Sequence, residues 1–206
     1  MKTKDKIIAT AIKLFNQHGT KAISTNHIAK EMGISPGNLY YHFRSKNDII
    51  RSISDNFRNE LGSILEIQLD TISDFSHNLT NLFNRFFRIQ HSYQFLFLEG
   101  VQLAKQDHML MANYTKLRTL IKRGYHELLS NLVKIKIMKK QSINIIDDLL
   151  DAQWIIMWYW INHTILDRKK YDDFQIKKGI KLSFSIIKPQ LTSIGKIAFD
   201  KTLQTL

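Results

Sequence analysis

The stretch that decides the fold is SPGNLYYHFRSK, residues 35–46. Ser35 is a favourable N-cap and Pro36 a favourable first helical residue, so the segment predicts a short helix. Leu39 and Phe43 stand four residues apart and mark its buried direction. With about 100° of rotation per residue, the opposite face carries Gly37, Asn38, Tyr41 and His42. A protein gains little by exposing these four side chains together, so this face is expected to meet a partner.

The residues before this stretch predict two further helices. Apolar side chains recur at i, i+3, i+4 and i+7 from Ile8 to Phe15, which indicates an amphipathic helix over about residues 3–18. A second helix is expected to begin with Ser24 or Thr25 as its N-cap.

The turn between the second and third helices is very short. Gly33 ends the second helix, and only Ile34 separates this glycine from the next cap. Two helices joined in this way, the second with a polar outer face, are typical of the helix-turn-helix that reads the major groove of DNA. Asn38 can pair with an adenine edge, and the ring of Tyr41 can pack on a thymine methyl. Helix pairs of this kind also occur without DNA, so spacing alone leaves both interpretations open.

The remainder of the chain also predicts helices. Ser45 and Asp48 resemble a capping box that opens a helix running to about Leu69. Further helices are expected near residues 74–90, 92–105, 108–138, 142–167 and 172–187, with a short helix in 191–203. The predicted fold class is all-α, with an N-terminal three-helix helix-turn-helix domain at residues 1–46 and a larger helical domain at residues 47–206.

The charge of the chain suits an anionic partner. Lysine and arginine number 30 against 18 aspartate and glutamate, a formal net charge of +12. Residues 1–50 hold eight basic and three acidic residues, which gives +5, and the remaining 156 residues give +7. This density favours nucleic acid near the predicted helix-turn-helix, although charge runs are also common on solvated faces.

Several function classes find no support in the sequence. The absence of cysteine excludes disulfides and thiolate metal sites. The apolar run at residues 154–161 is far shorter than the ~20 residues of a membrane span, so a cytoplasmic protein without membrane association is expected. No catalytic triad, glycine-rich phosphate loop or His-Glu-x-x-His motif is present, and His91 and His108 belong to no tight ligand cluster. No enzyme activity, metal or cofactor is therefore predicted.

Three groups of residues between positions 4 and 52 form a recognisable set. They are Ala11, Leu14, Phe15 and Gly19 in the first helix, Thr25, Ile28 and Ala29 in the second, and Gly33, Gly37 to Phe43 and Lys46 around the third. Together they resemble the DNA-binding domain of the tetracycline-repressor-like (TetR) family of bacterial regulators. The combination is highly specific.

The resemblance implies roles for individual residues. Members of the family place the third helix in the major groove. The positions that match their base-reading residues are Gly37, Asn38 and Tyr41, with Asn26 as a weaker candidate. The positions that match their phosphate-binding residues are Thr25, Tyr40, His42 and Lys46.

The resemblance also implies a second domain with a small-molecule pocket and a homodimer interface. The candidates for an apolar pocket are Phe86, Phe87, Tyr93, Phe97 and Trp158. The candidates for the interface, on the last two long helices, are Trp154, Ile161, Ile180 and Phe184. Core packing is the competing interpretation for each of these residues. Glu99 could contact a polar ligand group or close a salt bridge.

These implications lead to one expected function and one alternative. A homodimeric repressor is expected to bind double-stranded DNA at a pseudo-palindromic operator. A small, largely apolar effector of unknown identity is expected to release it by tilting the helix that begins at Lys46. The alternative is a DNA-binding regulator without a small-molecule inducer, controlled by a protein partner or acting as an activator.

Overall fold

The computed structural model describes residues 2–64, 72–140 and 145–204. The helices in these ranges are α1 (Thr3–Ala22), α2 (Thr25–Glu31), α3 (Pro36–His42), α4 (Lys46–Ile64), α5 (Ile72–Ser92), α6 (Gln94–Gln106), α7 (His108–Lys134), α8 (Ile146–Leu166), α9 (Asp173–Ile187) and α10 (Ser193–Gln204). The described ranges contain no β-strand, and the all-α prediction is confirmed. No helix within them is both long and apolar enough to cross a membrane.

The predicted helices lie close to the observed ones, although α1 continues to Ala22 and α7 ends early. This helix ends at Lys134, not at residue 138. Lys136 adopts a left-handed φ of 62°, and the N–H of Ile137 turns back to the carbonyl of Leu132 at 2.9 Å. A left-handed residue ends the helical hydrogen-bond ladder, and no glycine marks this position in the sequence. The predicted end of α4 lies outside the described residues.

The chain divides into two compact units. The first comprises Met1–Glu60 and Gln90–Lys116, and the second comprises Leu61–Ile89 and Leu117–Leu206. The helix-turn-helix segment therefore belongs to a unit that also contains α6 and the first residues of α7. The functional boundary between residues 46 and 47 stays a prediction, because compactness alone does not locate function.

The core of the first unit joins α1 to α6. Ala11 and Phe15 are buried on the inner side of α1, and the ring of Phe15 lies 5.2 Å from that of Phe95. Asn16 adds two hydrogen bonds, because its side chain donates to the carbonyl of Ser92 at 2.8 Å and accepts from the N–H of Phe95 at 3.0 Å. These bonds tie α1 to the start of α6.

A buried carboxylate caps α7 in the first unit. Asp107 accepts from the N–H groups of Met109 at 2.9 Å and Leu110 at 3.2 Å. Arg51 of α4 reaches the other oxygen through Nε at 2.9 Å and Nη2 at 2.8 Å. Burial acts to raise the pKa of Asp107, but Arg51 and the two backbone donors outweigh it and hold that pKa below its usual value.

The second unit is built around α8 and α9, which touch at a glycine. A Cβ placed on Gly179 would lie 2.7 Å from the indole of Trp160 and 2.9 Å from the ring of Phe87. The Trp160 Nε1 donates to the carbonyl of Gln175 at 2.8 Å, which holds the indole against α9. The small residue at position 179 is therefore required for the close approach of these helices.

Asp107→Asn is expected to lower the free energy of unfolding by ~1–3 kcal/mol at neutral pH, because it removes the buried charge that Arg51 binds, leaves Arg51 only its longer contact with Asp48 at 3.3 Å, and weakens the cap of α7. A carboxylate with a lowered pKa stabilises the fold above the unfolded value of ~3.9, and this contribution is lost as pH falls through the folded value. The difference from wild type, measured by urea denaturation, should therefore shrink below about pH 4.

Asp151→Asn is the matched control. Asp151 also pairs with an arginine, Arg118, at 3.2 Å, but the two side chains are 61% and 50% exposed. Exposed pairs of this kind contribute only ~0–1 kcal/mol. Equal losses in the two variants would contradict the role assigned to Asp107.

Candidate nucleic-acid interface

Local hydrogen bonds set the start of both helices of the turn. Ser24 caps α2, since its hydroxyl accepts from the N–H of His27 and the His27 ring accepts from the N–H of Ser24, both at 3.3 Å. Ser35 caps α3 by accepting from the N–H of Asn38 at 3.2 Å. Both predicted caps are confirmed, and the first is Ser24, not Thr25.

Gly33 makes the turn between α2 and α3. Its φ of 66° is left-handed. The N–H of Ile34 reaches the carbonyl of Ala29 at 3.0 Å, and the N–H of Gly33 reaches that of Lys30 at 3.1 Å, the paired bonds of a Schellman motif. A Cβ at this position would meet no atom within 4 Å, so glycine is required for its backbone and not for space.

Burial of one side determines the orientation of α3. Leu39 has 0% of its surface exposed and Phe43 4%. On the other side Gly37, Asn38 and Tyr41 are exposed, and Tyr41 shows 85% of its surface. The three residues predicted to read bases therefore share one accessible face, which we call the α3 face.

Gly37 has no packing role inside the chain. A Cβ there would meet only the Ser35 hydroxyl oxygen, at an ordinary 3.9 Å. Glycine within a helix costs ~0.5–1 kcal/mol relative to alanine. The space around Gly37 therefore does not require glycine, and its exposed backbone is accessible from outside the chain.

Two predicted phosphate-binding residues, Thr25 and Tyr40, are brought together. Their hydroxyl oxygens lie 3.0 Å apart in a hydrogen bond that joins the start of α2 to α3. A third, His42, is half-buried with its ring edge-on to that of Tyr41, the centroids 5.2 Å apart. His42 therefore supports the most exposed ring of the α3 face.

Lys46, the fourth predicted phosphate ligand, already has a partner in the first unit. It is half-buried, and its Nζ donates to the carbonyl of Thr20 at 2.7 Å. An ammonium has three donors, so a phosphate contact would share the group with Thr20.

Glu99 of α6 holds the same threonine from the other side. Its carboxylate accepts from the Thr20 N–H at 3.2 Å and from the Thr20 hydroxyl at 2.5 Å. Neither role considered for Glu99 from the sequence, a ligand contact or a salt bridge, describes these bonds. They fasten the end of α1 to α6.

Positive charge is accessible on the helix-turn-helix segment. Its exposed basic residues are Lys2, Lys4, Lys6, Lys13, Lys21, Lys30 and Arg44. Of its acidic residues, Glu31 accepts from Lys13 at 2.7 Å, and this amine lowers the pKa of Glu31. Asp48 is occupied at the start of α4, where it bonds Ser45 at 2.9 Å. The segment therefore presents the excess of positive charge that a polyanion requires.

The second unit contains a cavity of about 70 Å³ with walls from α4, α5, α7, α8 and α9. Two predicted ligand-binding residues, Phe86 and Trp158, line it. The sequence did not single out Tyr125 and Gln153, which also line it, because their helical spacing equally fits an ordinary core. Elsewhere in the described ranges, no three histidine or acidic side chains come together to hold a metal ion.

The other three predicted ligand-binding residues lie outside the cavity. Phe87 packs beside Gly179. Tyr93 and Phe97 belong to the first unit, where the centroid of each ring is 5.4 Å from that of Phe57. The aromatic stretch changes partners because α5 ends and α6 begins around Tyr93, a break that aromatic content does not reveal.

The predicted interface residues are core residues of the second unit. Their exposed fractions are 9% for Trp154 and 0% for Ile161, Ile180 and Phe184. Side chains so deeply buried have little surface to offer a partner. The exposed apolar residues on the same two helices include Ile155, Tyr159 and Leu166 on α8 and Phe174 and Leu182 on α9.

Comparisons with known proteins agree with this geometry. Residues 7–53 match the family of bacterial regulatory proteins, tetR family, and residues 56–199 match a family of bacterial transcriptional repressors. An HTH-type transcriptional regulator of Staphylococcus aureus (strain MRSA252) is 30% identical over 139 residues, which cover 56% of this chain and 73% of that protein. The HTH-type transcriptional repressor KstR2 of Mycolicibacterium smegmatis is 33% identical over 89 residues, 43% of each chain.

Solved structures share the fold over almost the whole chain. A TetR-family transcriptional regulator from Marinobacter aquaeolei VT8 has a TM-score of 0.88 and 27% identity, covering 100% of this chain and 98% of the other. A complex of SmeT with triclosan has a TM-score of 0.68 and 13% identity, covering 93% and 92%. At the lower identity the likeness concerns the fold alone.

Gly33→Ala and Gly37→Ala are expected to change stability in opposite directions. Gly33→Ala places a Cβ on left-handed backbone and should lower the free energy of unfolding by ~1–2 kcal/mol. Gly37→Ala has room for its Cβ and should raise it by ~0.5–1 kcal/mol. Urea denaturation of both variants beside wild type measures the two effects. Destabilisation by Gly37→Ala would show that this glycine serves the fold.

Proposed function

This chain belongs to the tetR family of bacterial regulatory proteins and is a DNA-binding transcriptional regulator, and we propose that it is a repressor that a small, largely apolar ligand releases from its operator. The observation that carries the proposal is the α3 face, which exposes Gly37, Asn38 and Tyr41 on a helix whose inner side is buried. The apolar cavity of the second unit supports control by a ligand.

The α3 face has the chemistry to read a major groove. The Asn38 amide can pair with the N6 and N7 of adenine, and the Tyr41 ring can pack on a thymine methyl. Gly37 lets the backbone come close to the duplex with no side chain between them. Because Leu39 is buried, the three residues keep the same outward direction.

Phosphate contacts would fix the register of this helix on the duplex. The hydroxyls of Thr25 and Tyr40 already share one hydrogen bond, and each retains further capacity to reach a phosphate oxygen. His42 and Lys46 can add donors from the C-terminal side of α3. The exposed lysines of the segment would add the salt-dependent part of the affinity.

We infer a homodimer from the exposed apolar residues of α8 and α9. Ile155, Tyr159 and Leu166 follow one another at helical spacing on α8 and are 59%, 46% and 82% exposed. A row of exposed apolar side chains on one helix is characteristic of a surface that binds another protein chain. A two-fold dimer would present two copies of the α3 face about 34–36 Å apart, which fits a pseudo-palindromic operator.

Ligand control follows from thermodynamic linkage. A ligand releases the repressor only when it binds the form that does not fit DNA more tightly than the form that does, and operator then weakens ligand binding by the same factor. Leu61 and Ile64, at the end of α4, line the cavity, and α4 begins at Lys46. SmeT, which shares the fold, has been solved with triclosan, and this supports an apolar ligand for the present chain.

The size of the cavity favours one alternative. About 70 Å³ is well below the ~300–1,000 Å³ of pockets for drug-sized ligands. A regulator controlled by a protein partner, or an activator, is therefore the second candidate. Ligand-induced release requires either a ligand small enough for this volume or a cavity that enlarges when a flexible lining side chain, such as that of Met157, changes its rotamer. Operator affinity that no small molecule changes would favour the alternative.

Tyr41→Ala is expected to weaken binding to a duplex selected from a random pool by the wild-type protein, by about tenfold or more, through loss of ~1–3 kcal/mol of base contact. Affinity for a random duplex should change little, and thermal unfolding should match wild type because Tyr41 is 85% exposed. Fluorescence anisotropy with the two duplexes measures the difference.

Lys46→Ala supplies the contrast. It removes a charge and the bond to Thr20, so it should weaken binding to both duplexes, lower the salt slope by about one, and lower stability. Equal losses on selected and random DNA for Tyr41→Ala would contradict its role in reading bases.

Ile155→Glu is expected to convert the dimer into monomer, because it places a charge in the centre of the proposed apolar contact. Sedimentation velocity measures the change, and operator affinity should fall with it. Ile197→Glu is the control, since Ile197 is 74% exposed but lies on α10. A wild-type protein that sediments as a monomer, or an Ile155→Glu variant that stays dimeric, would refute this interface.

A further inference from the structure

The cavity of the second unit is apolar except for two side chains. Tyr125 from α7 and Gln153 from α8 bring a phenol and an amide to a wall otherwise built of aliphatic, aromatic and methionine side chains. No charged residue of the described ranges lines it. A wall with one small polar region orients a ligand and distinguishes it from others of similar shape.

A hydrogen bond to α9 holds Gln153 in place. Its Nε2 donates to the carbonyl of Ser183 on α9 at 2.6 Å, and the residue is 2% exposed. The bond uses the NH₂ group, so the acceptor of the amide, Oε1, remains for another partner. Within the described part of the chain, Oε1 has no hydrogen-bond partner.

The hydroxyl of Tyr125 is also buried without a hydrogen-bond partner among the described residues. It lies near the Gln153 amide, but the two groups do not meet in hydrogen-bond geometry. Burial raises the pKa of Tyr125, so the phenol stays protonated at neutral pH and can donate or accept.

Two unpartnered polar groups beside an apolar cavity are unfavourable for the fold alone. A buried donor or acceptor without a partner costs ~1–3 kcal/mol, whereas apolar residues of the same shape would avoid that cost. Their neighbours Trp154 and Trp158 stack with ring centroids 4.6 Å apart and form an aromatic wall. The arrangement therefore has an apolar surface for a ring and a pair of polar atoms for one substituent.

We propose that the effector is a small neutral phenol or alcohol whose hydroxyl donates to Gln153 Oε1 and accepts from Tyr125. This inference rests on the ligand-released function proposed above. A hydroxyl is the smallest group that both donates and accepts a hydrogen bond, so one ligand hydroxyl can give a partner to both Gln153 Oε1 and the Tyr125 hydroxyl. A carboxylate or ammonium is disfavoured because the cavity offers no opposite charge.

The competing explanation is a direct bond. A small rotation would let the Tyr125 hydroxyl donate to Gln153 Oε1, and the pair would then serve the core without any ligand. In that case both variants of the pair would lose stability, but neither would change which ligands bind.

The test uses two pairs of probes that differ only by a hydroxyl in place of a methyl group. They are phenol with toluene and 2-naphthol with 2-methylnaphthalene, titrated calorimetrically into the protein of residues 1–206. We expect the hydroxyl probe of at least one pair to bind about tenfold or more tightly than its methyl partner. Tyr125→Phe and Gln153→Leu should each reduce that ratio to about one, mainly by weakening the hydroxyl probe. Tyr171→Phe, which alters a buried tyrosine that does not line the cavity, should preserve the ratio.

The outcomes separate this inference from the proposed function. Equal affinity within both pairs, no binding of any probe, or an unchanged ratio in both Tyr125→Phe and Gln153→Leu would overturn the inference, and the last result would support the direct bond. Operator affinity, measured with and without each probe, reports the function independently. If the protein prefers the hydroxyl probes but none of them lowers its affinity for operator, the hydroxyl site at Tyr125 and Gln153 is supported and ligand-induced release at this site is refuted.

Discussion

Burial of Leu39 and Phe43 is the constraint on which the DNA-binding surface depends. A helix of seven residues has little stability of its own, so α3 exists because its caps and its apolar side hold it against the first unit. Rotation of α3 about its axis would expose the apolar side chains of Leu39 and Phe43 to water, and each Å² so exposed would cost ~25 cal/mol of stability. The same burial therefore creates the helix and keeps Tyr41 and its neighbours directed outward.

Thr20 shows how a buried polar group supports that surface from a distance. Its N–H and hydroxyl bind Glu99, and its carbonyl binds Lys46, so α1, α6 and the start of α4 meet at one residue of the first unit. Lys46 consequently has a structural role beside any role at a phosphate. The phenotype of a charge-removing substitution there combines both effects, whereas Tyr41 offers a substitution that affects the surface alone.

Two polar side chains, Glu99 in the first unit and Gln153 in the second, differ in how completely they are hydrogen-bonded. The Glu99 carboxylate has partners for both oxygens, as expected of a group that serves the fold. Gln153 has a partner for its NH₂ group and none within the described chain for its oxygen, and that oxygen adjoins a cavity. The ligand contact proposed for Gln153 therefore rests on this incomplete hydrogen bonding beside a cavity, and not on burial or aromatic content.

The sequence by itself determined most of the helices, the Ser35 cap, the tight turn at Gly33 and the outward face of α3, because each depends on residues within one or two turns of one another. It left the α2 cap open between Ser24 and Thr25 and placed the end of α7 four residues too late. Only the tertiary structure decided what covers each apolar face. It buried Ile161 and left Ile155 exposed on the same helix, and it joined Lys46 to a carbonyl 26 positions away and Thr20 to a carboxylate 79 positions away. Helical periodicity states that a face is apolar, but the element that packs against it comes from distant chain, and no local rule encodes that choice.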